Sequence, residues 1–179
     1  TTLDLQKVFV SPDSIRKILQ EDLNNKNLKQ YLPILNLYKD YIESLKLGPI
    51  LLGRIPQFIS LQNSETPTNT PEKLAFHENL LIIFNNFGAS LKDLSQAQQL
   101  EIFNGLNTAY GQVAPGEDVQ GKIVNGLRWL SLRATDPNVK TQSDTQINNF
   151  ISRSSGDALA KVLNYWDEKS RPNFIKAYF

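Results

Sequence analysis

Residues 71–87, PEKLAFHENLLIIFNNF, are the stretch that decides the fold. Residues 70–72, Thr-Pro-Glu, are typical of a helix start: an N-cap hydroxyl, then proline, then an acid that the helix dipole favours. The pattern predicts a helix that runs to Asn86 and stops at Gly88. A helix that is apolar around most of its circumference is typical of the centre of a fold. The apolar residues here are Leu74, Phe76, Leu80, Leu81, Ile82, Ile83, Phe84 and Phe87.

The sequence before this helix also follows helical rules. Residues 11–13, Ser-Pro-Asp, repeat the start pattern and predict a first helix that fades at Asn24-Asn25. A second helix is predicted over 28–46, with a start or a kink at Pro33, because an interior proline costs about 3 kcal/mol. Gly48-Pro49 predicts its stop.

The next segments suggest a boundary within the chain. Residues 49–62 predict one or two short helical turns. Residues 63–70, NSETPTNT, contain no apolar side chain and predict a loop. A possible N-terminal subdomain, 1–62, would then be joined by this loop to a main bundle, 71–179.

The remaining sequence predicts further helices and no strand. They cover a capping-box helix from Ser95 to Tyr110, a helix from Pro115 to Ala134 ended by Asp136-Pro137, a helix from Ser143 to Ser154, a helix from Ser155 to Lys169, and a closing turn over 173–179. No alternating apolar run is bounded by hairpin turns. We therefore predict an all-α protein, a single-domain helical bundle of seven or eight helices.

The composition excludes several classes of function. The chain has no Cys, which removes disulfides, thiolate metal sites and cysteine nucleophiles, and its only His is His77. The net charge of +1 gives no global field to attract nucleic acid or anionic lipid. The apolar runs are far shorter than the roughly 18 residues of a membrane span.

No catalytic residue, cofactor or metal site is predicted from the motifs. The adjacent acid pairs, such as Glu117-Asp118, would point about 100° apart on a helix and so would not face each other. His77 would serve either as a general base or as an ordinary hydrogen-bonded side chain, and nothing nearby supplies a nucleophile motif. Lys122, Arg128 and Arg133 do not share one tight face, so nucleic-acid binding has no strong signal.

Gly105, Gly121 and Gly126 fall in the interior of predicted helices, where a glycine costs up to about 1 kcal/mol relative to alanine. The favoured interpretation is close packing between helices. The second is a groove that holds a flat or bulky ligand. This candidate ligand groove comprises Phe84, Phe87, Gly105, Gly121, Gly126 and Trp129.

The C-terminal segment is rich in aromatic residues interleaved with cations. Aromatic residues together with arginine are typical of interface hot spots, whereas a C-terminal helix also commonly folds back onto the core. Both interpretations stay open at this point. The candidate partner-binding residues are Tyr165, Trp166, Arg171, Phe174, Tyr178 and Phe179.

The functional hypothesis rests on the surface chemistry. The chain holds 17 Asn and 12 Gln, amides that suit hydrogen-bonded contact without charge steering. We expect a non-enzymatic helical protein-interaction or assembly module that binds a protein partner or a second copy of itself. The alternative is a soluble helical carrier of an apolar ligand such as a lipid or pigment.

Overall fold

A computed structural model describes residues 11–65, 71–113, 118–166 and 168–179. These ranges are almost entirely helical and contain no β-strand, so the predicted all-α class is confirmed. The described ranges hold more helices than the predicted seven or eight, because the two segments 28–46 and 49–62 are each divided in two. Within the described helices, none combines the length and the apolar character that crossing a bilayer requires.

The N-terminal half is built from short helices. They are α1, Pro12–Lys17, which continues as a π-helical turn, Ile18–Asp22; α2, Asn25–Leu37; α3, Lys39–Ser44; α4, Gly48–Gly53; and α5, Ile55–Glu65. α2 packs on α6, and α5 packs on α7.

The C-terminal half has the longer helices. They are α6, Pro71–Phe87, followed by a 3₁₀ segment, Gly88–Asp93; α7, Gln96–Gly111; α8, Asp118–Arg133; α9, Pro137–Arg153; α10, Gly156–Asn164; and α11, Arg171–Tyr178. α8 is central, because it contacts α6, α7, α9, α10 and the 3₁₀ segment.

The helix starts follow the predicted capping chemistry. The Ser11 hydroxyl accepts a hydrogen bond from the backbone N–H of Ser14 at 3.4 Å. Ser95 and Gln98 form the reciprocal capping box, with distances of 3.2 and 3.1 Å. Such a cap satisfies backbone donors that have no partner within the helix and contributes about 1 kcal/mol.

The predicted stop at Gly48-Pro49 is wrong. α3 ends at Ser44, and Lys46 then adopts φ 58°, the left-handed conformation that commonly ends helices. Gly48 and Pro49 instead form the first turn of α4, where the missing N–H of proline is harmless. Pro33 lies inside α2, so the predicted helix start at that residue is also wrong.

Three other boundaries also differ from prediction. Asn63–Glu65 belong to α5, while 66–70 lie outside the described residues. α9 begins at Pro137 instead of Ser143, because Asp136 caps it by accepting from the N–H of Asn138 at 2.9 Å. α10 ends at Asn164 and does not reach Lys169.

The central position of α6 is confirmed by its burial. Ile83, Phe84 and Phe87 are fully enclosed, and the core that contains them extends without a break from Ile15 in α1 to Phe174 in α11. The division into two subdomains stays a prediction.

Buried Gln99 joins two connections that are distant in sequence. Its Nε2 donates to the carbonyl oxygens of Leu91 and Leu94, both at 3.1 Å. Its Oε1 accepts from the backbone N–H groups of Thr135 and Asp136, at 3.0 and 3.2 Å. One side chain thereby positions the entry to α7 against the entry to α9.

Candidate functional site

The helical glycines Gly121 and Gly126 lie where two helices approach closely. A Cβ at Gly121 would lie 2.7 Å from Val162 Cγ2, and one at Gly126 would lie 2.7 Å from Phe84 Cε2. Real Cβ atoms essentially never come that close to another heavy atom. Side chains of α10 and α6 therefore already occupy the space in which a ligand would have to sit.

Gly105 is less closely packed than these two glycines, since an added Cβ would lie 3.3 Å from Ile59 Cδ1. It lines a groove of about 430 Å³ between α5 and α7. We call this the α5/α7 groove; its lining residues are Pro56, Ile59, Ser60, Glu101, Asn104, Gly105 and Thr108. Of the predicted ligand-groove residues, only Gly105 faces this groove, since Phe84 and Phe87 are buried in the core.

Trp129 takes part in a polar network between α6, α8 and the end of α10. Its Nε1 and the Nδ2 of Asn125 both donate to Asn85 Oδ1 at 3.1 Å. Asn85 Nδ2 in turn donates to the backbone oxygen of Tyr165 at 3.2 Å. The network fixes the position of the aromatic segment that follows α10.

The aromatic residues of the C-terminal segment fold back onto α8. Trp166 and Phe174 are buried, and their ring centroids are 6.1 Å apart. Trp166 also lies 5.6 Å from Trp129, and Phe174 lies 5.0 Å from Tyr178. We call Trp129, Trp166, Phe174 and Tyr178 the C-terminal cluster, and its burial agrees with the interpretation that this segment seals the core.

The Tyr178 hydroxyl joins α11 to α8 and α9. It donates to Asp144 Oδ1 at 2.5 Å, accepts from Arg128 at 2.9 Å and lies 3.3 Å from the Ser131 hydroxyl. The Arg128 guanidinium also sits 5.0 Å from the Tyr178 ring centroid. Burial raises the pKa of Tyr178 from its ordinary 10.0, and the hydrogen bond to Asp144 raises it further.

The other predicted partner-binding residues differ in their exposure. Arg171 Nε donates to the backbone oxygens of Leu163 and Trp166, both at 3.0 Å, and so closes the turn before α11. Tyr165 is half-buried. Phe179 is 63% exposed and is the residue of the predicted set that is most open to solvent.

His77 lies inside the bundle and not at a surface site. It is 2% exposed, and its ring meets that of Phe76 edge-on with centroids 5.8 Å apart. In the part of the chain that the structure describes, no group of three or more His, Cys, Asp or Glu side chains could hold a metal ion.

A second groove, between α7 and α9, was not identified from the sequence. It measures about 270 Å³ and is lined by Phe103, Asn107, Gln142, Thr145, Gln146 and Asn149; we call it the amide groove. The α9 members recur at three- and four-residue spacing, which places them on one face of that helix. The groove forms only where α7 and α9 pair, and this pairing cannot be read from the sequence. The excess of amides in the composition was the one sequence signal that pointed to it.

Between the two grooves runs the exposed ridge of α7, which carries Leu100, Asn104 and Thr108 at intervals of four residues. Leu100 is 39% exposed. Glu101 is the only charged residue among those that line the two grooves. The ridge and the grooves together form one largely uncharged face.

Comparison of this chain with known protein families, with curated proteins and with solved structures finds no match.

Proposed function

We propose that the chain is a non-enzymatic helical module that binds a protein partner across the α7 ridge and its two flanking grooves. The observation that carries the proposal is the nearly uncharged lining of the two grooves, in which Glu101 is the single charged residue. This lining combines amide and hydroxyl groups with apolar floor residues such as Ile59 and Phe103. A surface of this composition matches another protein, which also presents amides and apolar groups. It does not match nucleic acid, whose phosphates require Lys and Arg.

The burial of Trp166 and Phe174 in the C-terminal cluster argues against the C-terminal segment as the binding face. Trp166 and Phe174 already contact the core, so exposing them to a partner would disrupt packing within the chain. The α7 ridge requires no such rearrangement, because Leu100 and Asn104 are already exposed. The carrier hypothesis has less support, since side chains fill the space at Gly121 and Gly126.

The test compares two leucine-to-arginine substitutions. Leu100→Arg places a charge on the α7 ridge, whereas Leu37→Arg places the same charge on α2, at a residue that is 76% exposed and lines neither groove. Self-association is measured by analytical ultracentrifugation. Partner binding is measured by quantitative mass spectrometry of proteins retained on the immobilised full chain.

We expect Leu100→Arg to reduce self-association or partner retention at least tenfold, while Leu37→Arg leaves both unchanged. Equal unfolding midpoints of the two variants and the wild type serve as the folding control. If both variants retain the same partners and oligomeric state as the wild type, the α7 ridge is not the binding face.

A further inference from the structure

A directed chain of carboxamides crosses the amide groove. Asn149 Nδ2 donates to Gln146 Oε1 at 3.1 Å, and Gln146 Nε2 donates to Asn107 Oδ1. The amide N–H groups of Asn107 and the Oδ1 of Asn149 have no hydrogen-bond partner among the residues that the structure describes. The groove therefore presents a donor from α7 and an acceptor from α9.

Gln142 adds a complete carboxamide to this set. It lies on the same face of α9, nearly two turns before Asn149, and within the described ranges its side chain makes no hydrogen bond. The Thr145 hydroxyl, in contrast, donates to the Thr141 carbonyl of its own helix at 3.0 Å. A carboxamide offers both N–H donors and acceptor lone pairs, which is the combination needed to pair with a backbone peptide group.

The spacing along α9 matches an extended chain. Gln142 and Gln146 are four residues apart, a rise of about 6 Å along a helix axis. Peptide groups that point to one side of an extended chain recur every two residues, or about 6.6 Å. Successive carboxamides of α9 can therefore meet alternate peptide groups of a strand that lies along the groove.

The aromatic residue in the groove favours a peptide over a sugar. A bound sugar ring stacks on the open face of an aromatic side chain. Phe103 is 4% exposed, so its ring belongs to the core and offers little such face. The groups that a ligand in this groove can reach are mainly side-chain amides, which form hydrogen bonds.

A cation follows the groove-lining residues along α9. Arg153 is exposed and lies one turn beyond Asn149 on α9. Burial raises the pKa of Tyr110, near the end of α7, and the positive charge of Arg153 partly offsets that rise. An acidic side chain of a bound segment would find its counter-charge there.

We propose that the amide groove binds an extended, otherwise uncharged peptide segment through its main chain, with one acidic side chain of that segment at Arg153. The inference rests on the proposed function and names the chemistry of the partner. About three residues of an extended chain span the roughly 10 Å from Gln142 to Asn149 along α9. The main chain supplies affinity by hydrogen bonding, as in other modes of extended-peptide recognition.

The test uses random heptapeptides displayed on phage, each with one fixed glutamate at an end, selected on the full chain. A selected peptide is synthesised in three forms: unmodified, with glutamine in place of the glutamate, and with N-methyl groups on alternate residues. Binding is measured by calorimetry and by the side-chain NH₂ signals of Asn107 and Asn149 in NMR spectra. The variants are Gln142→Ala, Asn149→Ala and Arg153→Gln, with the neighbouring Thr141→Ala as the matched control.

We expect Gln142→Ala and Asn149→Ala each to weaken binding about threefold to tenfold, the loss of one hydrogen bond, while Thr141→Ala has no effect. N-methylation of one alternate set should abolish binding, and Arg153→Gln should remove the preference for glutamate over glutamine.

Peptides that bind equally to the wild type and to both alanine variants would overturn the inference. So would the absence of any selected peptide, or movement of the NH₂ signals by a neutral oligosaccharide such as maltohexaose alone. None of these outcomes bears on the paired leucine test, so the proposed function is judged separately.

Discussion

Gly126→Ala tests directly whether the glycines of α8 serve packing or a ligand. The added methyl group would lie 2.7 Å from Phe84 Cε2 and 3.1 Å from Leu106 Cδ1, and both neighbours are 0% exposed. Neither side chain can move into solvent, so the core must shift, at a cost of about 1–3 kcal/mol. Replacing glycine by alanine within a helix contributes up to about 1 kcal/mol in the opposite direction. We expect the free energy of unfolding to fall by about 1 kcal/mol, which lowers Tm by about 2–4 °C.

Gly111→Ala is the control for this substitution. Gly111 ends α7, and a Cβ at this position would meet nothing within 4 Å. The same chemical change should therefore raise the free energy of unfolding by up to about 1 kcal/mol. Urea denaturation of both variants measures the difference. If Gly126→Ala proves as stable as Gly111→Ala, the space beside Gly126 is open and the packing argument fails.

Three further predictions concern buried or half-buried polar groups. Tyr178→Phe should lower the free energy of unfolding by about 1–3 kcal/mol, because the carboxylate and the guanidinium bonded to its hydroxyl each lose a partner; the exposed Tyr41→Phe should change it little under the same urea titration. Since the folded-state pKa of Tyr178 is raised, its contribution is complete below its ordinary pKa of 10.0 and is lost as the pH rises through the folded-state value. The alkaline loss of stability should accordingly be smaller in Tyr178→Phe, and an unchanged pH profile would contradict the assignment. Gln99→Leu should destabilise by at least about 2 kcal/mol and accelerate hydrogen exchange at the Thr135 and Asp136 amides, which lose their acceptor.

The helix starts could be predicted because their causes are local. Ser11 and Ser95 each cap a helix within three residues of sequence, and the structure has both caps. The helix boundaries were predicted wrongly where the same residues can either end one helix or begin the next. Asp136-Pro137 predicts the end of one helix, and Asp136 also caps the next helix. Gly48-Pro49 predicts the end of a helix, although proline also suits the first turn of the next one.

The site was less predictable because it depends on pairing between distant helices. The aromatic residues of the C-terminal segment were identified, but only packing on α8 decides that Phe174 is buried while Phe179 is exposed. The amide groove brings Asn107 of α7 to Gln146 of α9, residues 39 apart in sequence. No spacing rule within either helix predicts that contact.

The low charge of the α7 face has a consequence for the rate of binding. Without complementary fields to guide diffusion, association rate constants are typically about 10⁵–10⁶ M⁻¹ s⁻¹ and depend little on ionic strength. Glu101 in the α5/α7 groove and Arg153 one turn beyond Asn149 on α9 supply only isolated charges. The affinity of a complex formed here would therefore depend on slow dissociation. Its lifetime would depend on how well the bound partner keeps water from competing for the hydrogen bonds of the groove.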